Sequence, residues 1–194
     1  MIDPRNITNY CRSTLELQEF LLFSVVVAGK NSAVQAAKLD SFLRLAVVRY
    51  ANSHGYLQAD FFSILRGLAE QEIRNLLQEV KMGQYNRLTP LIFELAHLCN
   101  VNTCTVEDLE RFKGLGPKTA RFFILHSRKD ARIAVLDTHI LKHLAKYGVN
   151  NVPKSTPQNT KTYALLEKEF LRLVDLSDLT PAEYDLMVWK QYAK

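Results

Sequence analysis

The sequence predicts an all-helical protein, and three observations carry that prediction. Glycine is scarce, at 7 in 194 residues, and most glycines fall where a helix should stop. Ser/Thr-x-x-Glu/Gln capping boxes recur at Ser13–Glu16, Ser32–Gln35 and Thr180–Glu183. Apolar residues repeat every three to four positions, and no pair of alternating runs frames a hairpin turn.

The elements follow in order. Ser13 opens an apolar helix through Phe20, Leu21, Leu22, Val25 and Val26 to about Ala28. Its Val25-Val26-Val27 run taken alone suits a strand, but the helix signals around it prevail. Ser32 begins a helix to about Ser53, before Gly55. Asp60 caps a short helix ending near Gly67, and Ala69 to Met82 places Ile73, Leu76, Leu77 and Val80 on one face until Gly83. Asn86 to Cys99 is amphipathic. Thr105-Val106-Glu107-Asp108 starts a short helix that meets Gly114-Leu115-Gly116, and Pro117 starts the next, to about His126. Ala131 to Leu136 is extended. Asp137 caps a helix stopping at Gly148, Asn150 to Gln158 is a loop, Thr160 to Val174 is helical, and Thr180-Pro181-Ala182-Glu183 opens the last helix.

Composition narrows the function classes. The chain is 47% hydrophobic and 23% charged, with a formal charge of +5 and a pI near 9.1, a balance that favours a polyanionic partner such as nucleic acid. Its length suits one large domain or two small interleaved ones. No run of about 18 apolar residues marks a membrane helix; the longest apolar stretch, Phe20 to Gly29, is broken by Ser24. The start, Met1-Ile2-Asp3-Pro4, lacks the pattern of a signal peptide. Cys11, Cys99 and Cys104 lack metal-ligand spacing and read as free thiols in a reducing, intracellular compartment. The sequon at Asn6 therefore carries little meaning.

Chemistry concentrates in Leu109-Glu110-Arg111-Phe112-Lys113-Gly114-Leu115-Gly116-Pro117-Lys118-Thr119-Ala120. Two glycines bracket a turn between helices, where backbone can approach a phosphate and the next helix offers unpaired N–H groups. Such a turn grips DNA without reading bases; by itself it is equally an αα-corner with solvated lysines. Lys118 lies in the first helical turn, where the dipole disfavours an ammonium and so favours the free amine that a Schiff base requires. Nineteen residues on, Val135-Leu136-Asp137-Thr138-His139 ends an apolar run in a carboxylate at a helix start. Alone, Asp137 reads as an N-cap. His139 and His143 share a helix face but have no acidic partner pattern that would make them metal ligands.

Together these residues resemble the helix-hairpin-helix (HhH-GPD) DNA glycosylases, the superfamily that includes endonuclease III and the 8-oxoguanine DNA glycosylases. Hairpin, lysine and Asp-Thr-His recur in order and at the expected separation. Glu19 through Asn31 resembles the first barrel helix and a DNA-entering loop, and Gly83-Gln84-Tyr85-Asn86-Arg87 the second intercalating turn. Residues 17–148 are covered well and 149–194 more loosely. The resemblance implies a six-helix barrel domain over 17–136 that carries the helix-hairpin-helix at about 105–126. A second helical domain would be built from 1–16 and 137–194. It implies a monomer that binds double-stranded DNA containing a damaged base, with no membrane partner. Lys118 would attack the sugar and hold it as an imine, Asp137 would assist base loss, and β-elimination would nick the strand.

The resemblance also assigns supporting positions. DNA contacts fall on Gly114, Leu115, Gly116, Thr119 and His139 and on the loop residues Lys30, Asn31, Gln84, Tyr85 and Asn86. Trp189 and Lys194 would meet the everted base, although Trp189 also suits core packing on the last helix. Backbone carbonyls of Glu110, Phe112 and Leu115 would hold a Na⁺ or K⁺; no cofactor is otherwise required. With no cysteine after Cys104, the iron–sulfur loop of endonuclease III types is not expected. A short chain ending Asp185-Leu186-Met187-Val188-Trp189 and Lys194 resembles the compact 8-oxoguanine glycosylases, whereas Gly116-Pro117-Lys118-Thr119-Ala120 is nearer the endonuclease III hairpin. The expectation is a bifunctional N-glycosylase and AP lyase acting on 8-oxoguanine. Alternatives are an oxidised-pyrimidine enzyme and a non-catalytic DNA-binding module.

Overall fold

The computed structural model describes residues 2–54 and 59–192, all of them helix, turn or irregular chain. Ten helices are present among the described residues: α1 (Thr14–Val26), α2 (Ser32–His54), α3 (Phe61–Arg66), α4 (Glu70–Glu79), α5 (Tyr85–Leu98), α6 (Val106–Glu110), α7 (Pro117–Ser127), α8 (Thr138–Lys146), α9 (Thr160–Asp175) and α10 (Pro181–Tyr192). None is long and apolar enough to cross a membrane. The helix stop expected at Gly55 and the terminal Lys194 lie outside the described residues.

The starts obey local chemistry. Ser13 and Thr105 each accept an N3 backbone N–H, while the N3 carboxylates of Glu16 and Asp108 reach back to the cap nitrogens. Thr180 and Glu183 form the same reciprocal pair. Asp60 caps α3 through Ser63 N–H at 2.8 Å. The second box shifts by one residue from the sequence expectation: Asn31, not Ser32, accepts the Val34 N–H (3.1 Å) and opens α2. Helix α4 stops at Glu79 rather than Met82 because Lys81 (φ 52°) and Gly83 (φ 80°) turn left-handed.

These capping carboxylates give acid stability a definite sign. Backbone N–H bonds from Ser13, Thr105 and Thr180 hold Glu16, Asp108 and Glu183 below the usual carboxylate range. The unfolded chain therefore takes up these protons first on acidification. Their stabilisation is present above the ordinary carboxylate range and is lost as pH falls through the lower folded values. The denaturation midpoint should fall toward acid, and a Glu16→Gln, Asp108→Asn, Glu183→Gln variant should show a shallower fall over the same interval.

By packing, the chain forms two units, Met1–Leu115 and Gly116–Lys194; the sequence expectation is 17–136 against 1–16 together with 137–194. The first unit is built around α1, whose Phe20, Leu21, Leu22 and Val25 are fully buried, as a helix apolar on every side requires. Helices α2, α3 and α5 pack on it. Its buried Gln18 accepts the Phe62 N–H at 3.1 Å and so satisfies the start of α3. In the second unit α8, α9 and α10 enclose Leu136, Ile140, Leu144, Tyr163, Phe170, Tyr184 and Val188. Leu125 of α7 joins Val135 and Ala182 in a smaller cluster. This contact assigns α7 and the extended segment 131–136 to the C-terminal packing unit.

Candidate active site

In the second unit, Gly116 (φ −90°, ψ 172°) is the N-cap of α7 and Pro117 its first residue. Lys118 thereby stands in the first turn, half-buried, its side chain making no hydrogen bond or ion pair to any described residue. An uncommitted amine at a helix start suits nucleophilic attack better than a structural ion pair does.

Asp137 caps α8 as its sequence position suggests, and does so in a particular way. Both the His139 and the Ile140 N–H groups, at 2.8 and 2.9 Å, bond to Oδ1. Oδ2 is left without a hydrogen-bond partner among the described residues. The cap thus fixes the carboxylate while leaving one oxygen for chemistry. His139 is half-buried and its Nδ1 is unsatisfied. His143 is a core residue: its ring is buried and Nε2 meets the Tyr184 hydroxyl at 2.9 Å, and burial lowers its proton affinity.

Asp185, to which the sequence reading gave no role beyond the chain ending, is set against α7 by packing. It is buried on α10, its Oδ2 3.4 Å from Nε2 of the fully buried His126 on α7. Burial pushes its carboxyl upward; His126 acts against that, the Asp137 charge adds to it and Lys118 opposes it. Asp185 therefore lies in the field of both Lys118 and Asp137. A histidine eight residues after Lys118 was the available signal, since it places His126 two turns further along α7. The pH sign is opposite to that of the helix caps. A carboxyl with a raised folded value stabilises below the ordinary Asp range, and that contribution is lost as pH rises. Asp185→Asn should therefore gain stability relative to the parent from acid toward neutral pH in denaturant titrations.

Trp189 is not a core residue: it is 42% exposed, open to stacking on a ligand. The Leu115 side chain is buried, so only its backbone is available to a partner. Thr119 is half-buried, its N–H on the Gly116 carbonyl at 3.0 Å.

The hairpin glycines have different reasons to be glycine. Gly114 has φ 95°, and a Cβ there would lie 3.0 Å from Arg87 Cγ, so the fold itself requires it. Gly116 has an ordinary φ, and a Cβ there would meet nothing within 4 Å. The protein's own packing makes no demand for glycine at 116.

In the first unit the turn after α1 and the turn before α5 come together. The Lys30 ammonium lies 3.4 Å from where a Gly83 Cβ would stand. Gln84 is left-handed (φ 53°, ψ 34°) and exposed, as are Lys30 and Asn31. Arg87 braces this region, donating to Gln84 Oε1 (2.8 Å), the Gly114 carbonyl (3.0 Å) and the Val25 carbonyl (3.0 Å). Asn86 accepts from Arg74 at 2.9 Å, and Tyr85 is half-buried at the start of α5. Arg87 is the residue of this turn that the sequence reading left without a role; three carbonyl acceptors around one guanidinium cannot be seen along a chain.

Among the described residues no cluster of three His, Cys, Asp or Glu side chains could hold a metal ion. No family model matches the chain, and no curated protein matches it. Solved structures do. The fold is similar to that of a Methanocaldococcus jannaschii 8-oxoguanine glycosylase/lyase, crystallised with a 15mer DNA containing 8-oxoguanine. The TM-score is 0.67 and the identity 20%, over 94% of this chain and 83% of that one. It is also similar to the 8-oxoguanine DNA glycosylase of Thermotoga maritima, at TM-score 0.62 and 20% identity, over 93% of this chain and 81% of that one. The all-helical fold expected from the sequence is the fold observed.

Proposed function

We propose that the protein is a base-excision repair enzyme, a bifunctional DNA N-glycosylase and AP lyase whose substrate is 8-oxoguanine in double-stranded DNA. The observation that carries this reading is the pairing, in one packing unit, of an uncommitted Lys118 at a helix start with an Asp137 whose second oxygen is unspent. The 8-oxoguanine activity of the two structural neighbours supports the choice of lesion.

The reaction follows from the groups present. The lesion nucleotide leaves the base stack, since its sugar carbon is unreachable inside the duplex. The glycosidic bond breaks with its electron pair passing to the base, and Asp137 Oδ2 stabilises the positive charge developing on the sugar. The Lys118 amine, having lost a proton, bonds to C1′. Ring opening gives an imine between Lys118 and the sugar. Loss of a C2′ proton then expels the 3′ phosphate, which is β-elimination, and water releases the lysine. Trp189 supplies a face for the everted base, a contact worth about 1–3 kcal/mol where bases stack on aromatic side chains.

The hairpin grips the phosphate backbone through the Gly116 and Lys118 N–H groups, since Pro117 has none and the Thr119 N–H is already on the Gly116 carbonyl. Carbonyl oxygens at Glu110, Phe112 and Leu115 are the hard donors a Na⁺ or K⁺ accepts. Of these, Phe112 also receives the Leu115 N–H at 3.1 Å and keeps one lone pair. An ion there would add positive charge toward the phosphate. In the first unit, Lys30 and Gln84 are the side chains proposed to occupy the space an extrahelical base leaves, with Asn31 at the base of the same turn.

Borohydride trapping on an 8-oxoguanine·cytosine duplex and an abasic duplex tests the reading. An adduct on both supports it. An adduct on the abasic duplex alone keeps the lyase and moves the lesion to an oxidised pyrimidine, which the endonuclease III-like hairpin sequence would suit. No adduct on either leaves a DNA-binding module.

The two hairpin glycines supply an independent check on the clamp. Gly116→Ala should change folding stability by less than about 1 kcal/mol, because restriction of the unfolded chain is opposed by the poorer fit of alanine at an N-cap. The same change should weaken duplex affinity about tenfold, the loss expected of one hydrogen bond to a charged partner. Gly114→Ala should instead destabilise by about 1–2 kcal/mol from its left-handed backbone. Thermal melts and fluorescence anisotropy separate the two effects, and unchanged duplex affinity in Gly116→Ala would sink the clamp.

A further inference from the structure

The segment that delivers Asp137 is extended and buried, with Ala134, Val135 and Leu136 at most 2% exposed, yet no strand neighbours it among the described residues. Its backbone polar groups need partners, and side chains provide them. The Tyr163 hydroxyl donates to the Ala134 carbonyl at 2.8 Å and accepts the Leu136 N–H at 3.2 Å. Glu167, one turn further along α9, accepts the Ala134 N–H at 2.8 Å. Thr156 donates to the Leu136 carbonyl at 2.7 Å. Two side chains of α9 thus do what a paired strand would do.

The same two residues also hold α7. Glu167 Oε1 takes the Arg121 Nε at 3.0 Å, with both side chains under one-fifth exposed. The Arg121 guanidinium lies 4.1 Å above the Tyr163 ring and reaches back to the Pro117 carbonyl at 3.4 Å. Pro117 immediately precedes Lys118. One bracket therefore touches the backbone before the lysine and the backbone before the aspartate.

We infer that Tyr163, Glu167 and Arg121 are positioning residues that set Asp137 against Lys118, an inference that rests on the lyase reading above. Their effect on the chemistry passes through Asp137, so removing the bracket and removing the Asp137 charge should not add. Single-turnover base release from the 8-oxoguanine duplex at saturating enzyme measures this, with borohydride trapping of the parent protein on an abasic duplex as the control. Tyr163→Phe removes only the hydroxyl and keeps the ring under Arg121. It should slow the reaction by about 10- to 100-fold, the range in which small misplacements of reacting groups act, with duplex affinity unchanged. In an Asp137→Asn background the same change should cost less than about twofold, the non-additivity of groups that act as a unit.

Glu167→Gln is the second variant. It keeps an acceptor for Ala134 and weakens the hold on Arg121, and it should show the same pattern with a smaller loss. An equal loss in both backgrounds, or no loss with Asp137 intact, overturns the inference and leaves a purely structural bracket. Absence of any adduct with the parent protein removes the Schiff-base chemistry itself and the inference with it. The two failures are therefore told apart by the parent protein alone.

Discussion

Lys118→Gln should abolish the covalent adduct on an abasic duplex while leaving the affinity for that duplex within about threefold, because the side chain supplies the bond and little of the grip. The lysine side chain has no ion pair or hydrogen bond among the described residues, so its removal leaves no partner unsatisfied. Stability should stay within about 0.5 kcal/mol, as for surface substitutions free of such partners. The combination is diagnostic. A lysine that serves DNA backbone binding would lose affinity and flatten the salt dependence, since each phosphate contact contributes to the slope. A nucleophilic lysine loses the adduct and keeps both. Strand cleavage that survives in Lys118→Gln would defeat the proposed mechanism.

Asp137 should show two separable effects. Asp137→Asn retains an oxygen that can accept the His139 and Ile140 N–H groups, and asparagine is as good a cap as aspartate. Folding stability should therefore change little. The charge is lost, and single-turnover base release should fall by about 10²–10⁴-fold, the range for a positioned acid, base or charge in the reaction centre. Asp137→Ala should lose the same activity and in addition about 0.5–2 kcal/mol of stability for the missing cap. Chemical denaturation of the three proteins beside single-turnover assays checks this. Equal activity in the parent and Asp137→Asn would reduce Asp137 to the capping role its sequence position first suggests.

Much of this protein is legible along the chain because helix starts and stops are local. Ser13, Asp60, Thr105 and Thr180 act within three residues of themselves, so each could be placed from sequence. Ser32 was off by one because Asn31, an equally good cap, stands beside it. Lys118 and Asp137 were visible since each sits at a helix start in a recognisable segment. Asp185 and Glu167 were not. An acid on an amphipathic helix reads as a solvated face, and only packing puts Asp185 against His126, 59 positions away in the chain, or Glu167 against the Ala134 N–H. Trp189 shows the same limit in the other direction: the periodicity of α10 suits a core tryptophan, while the folded helix turns it outward. Arg87 is a further case, since its three oxygen acceptors lie on α1, before α5 and in the hairpin.

The left-handed turn at Gln84 has a consequence for which sequences this scaffold will accept. At φ 53° the backbone filters the alphabet before side-chain chemistry does. Glycine, asparagine and aspartate enter with little strain, whereas valine, isoleucine, threonine and proline are excluded on steric grounds. A saturation library at position 84 would thus be sorted first by backbone tolerance and only then by what the side chain does at its tip. Position 85, the first residue of a regular helix, carries no such filter. Diversity introduced at 85 would survive folding where the same diversity at 84 would be lost, so the two adjacent positions would evolve under different rules.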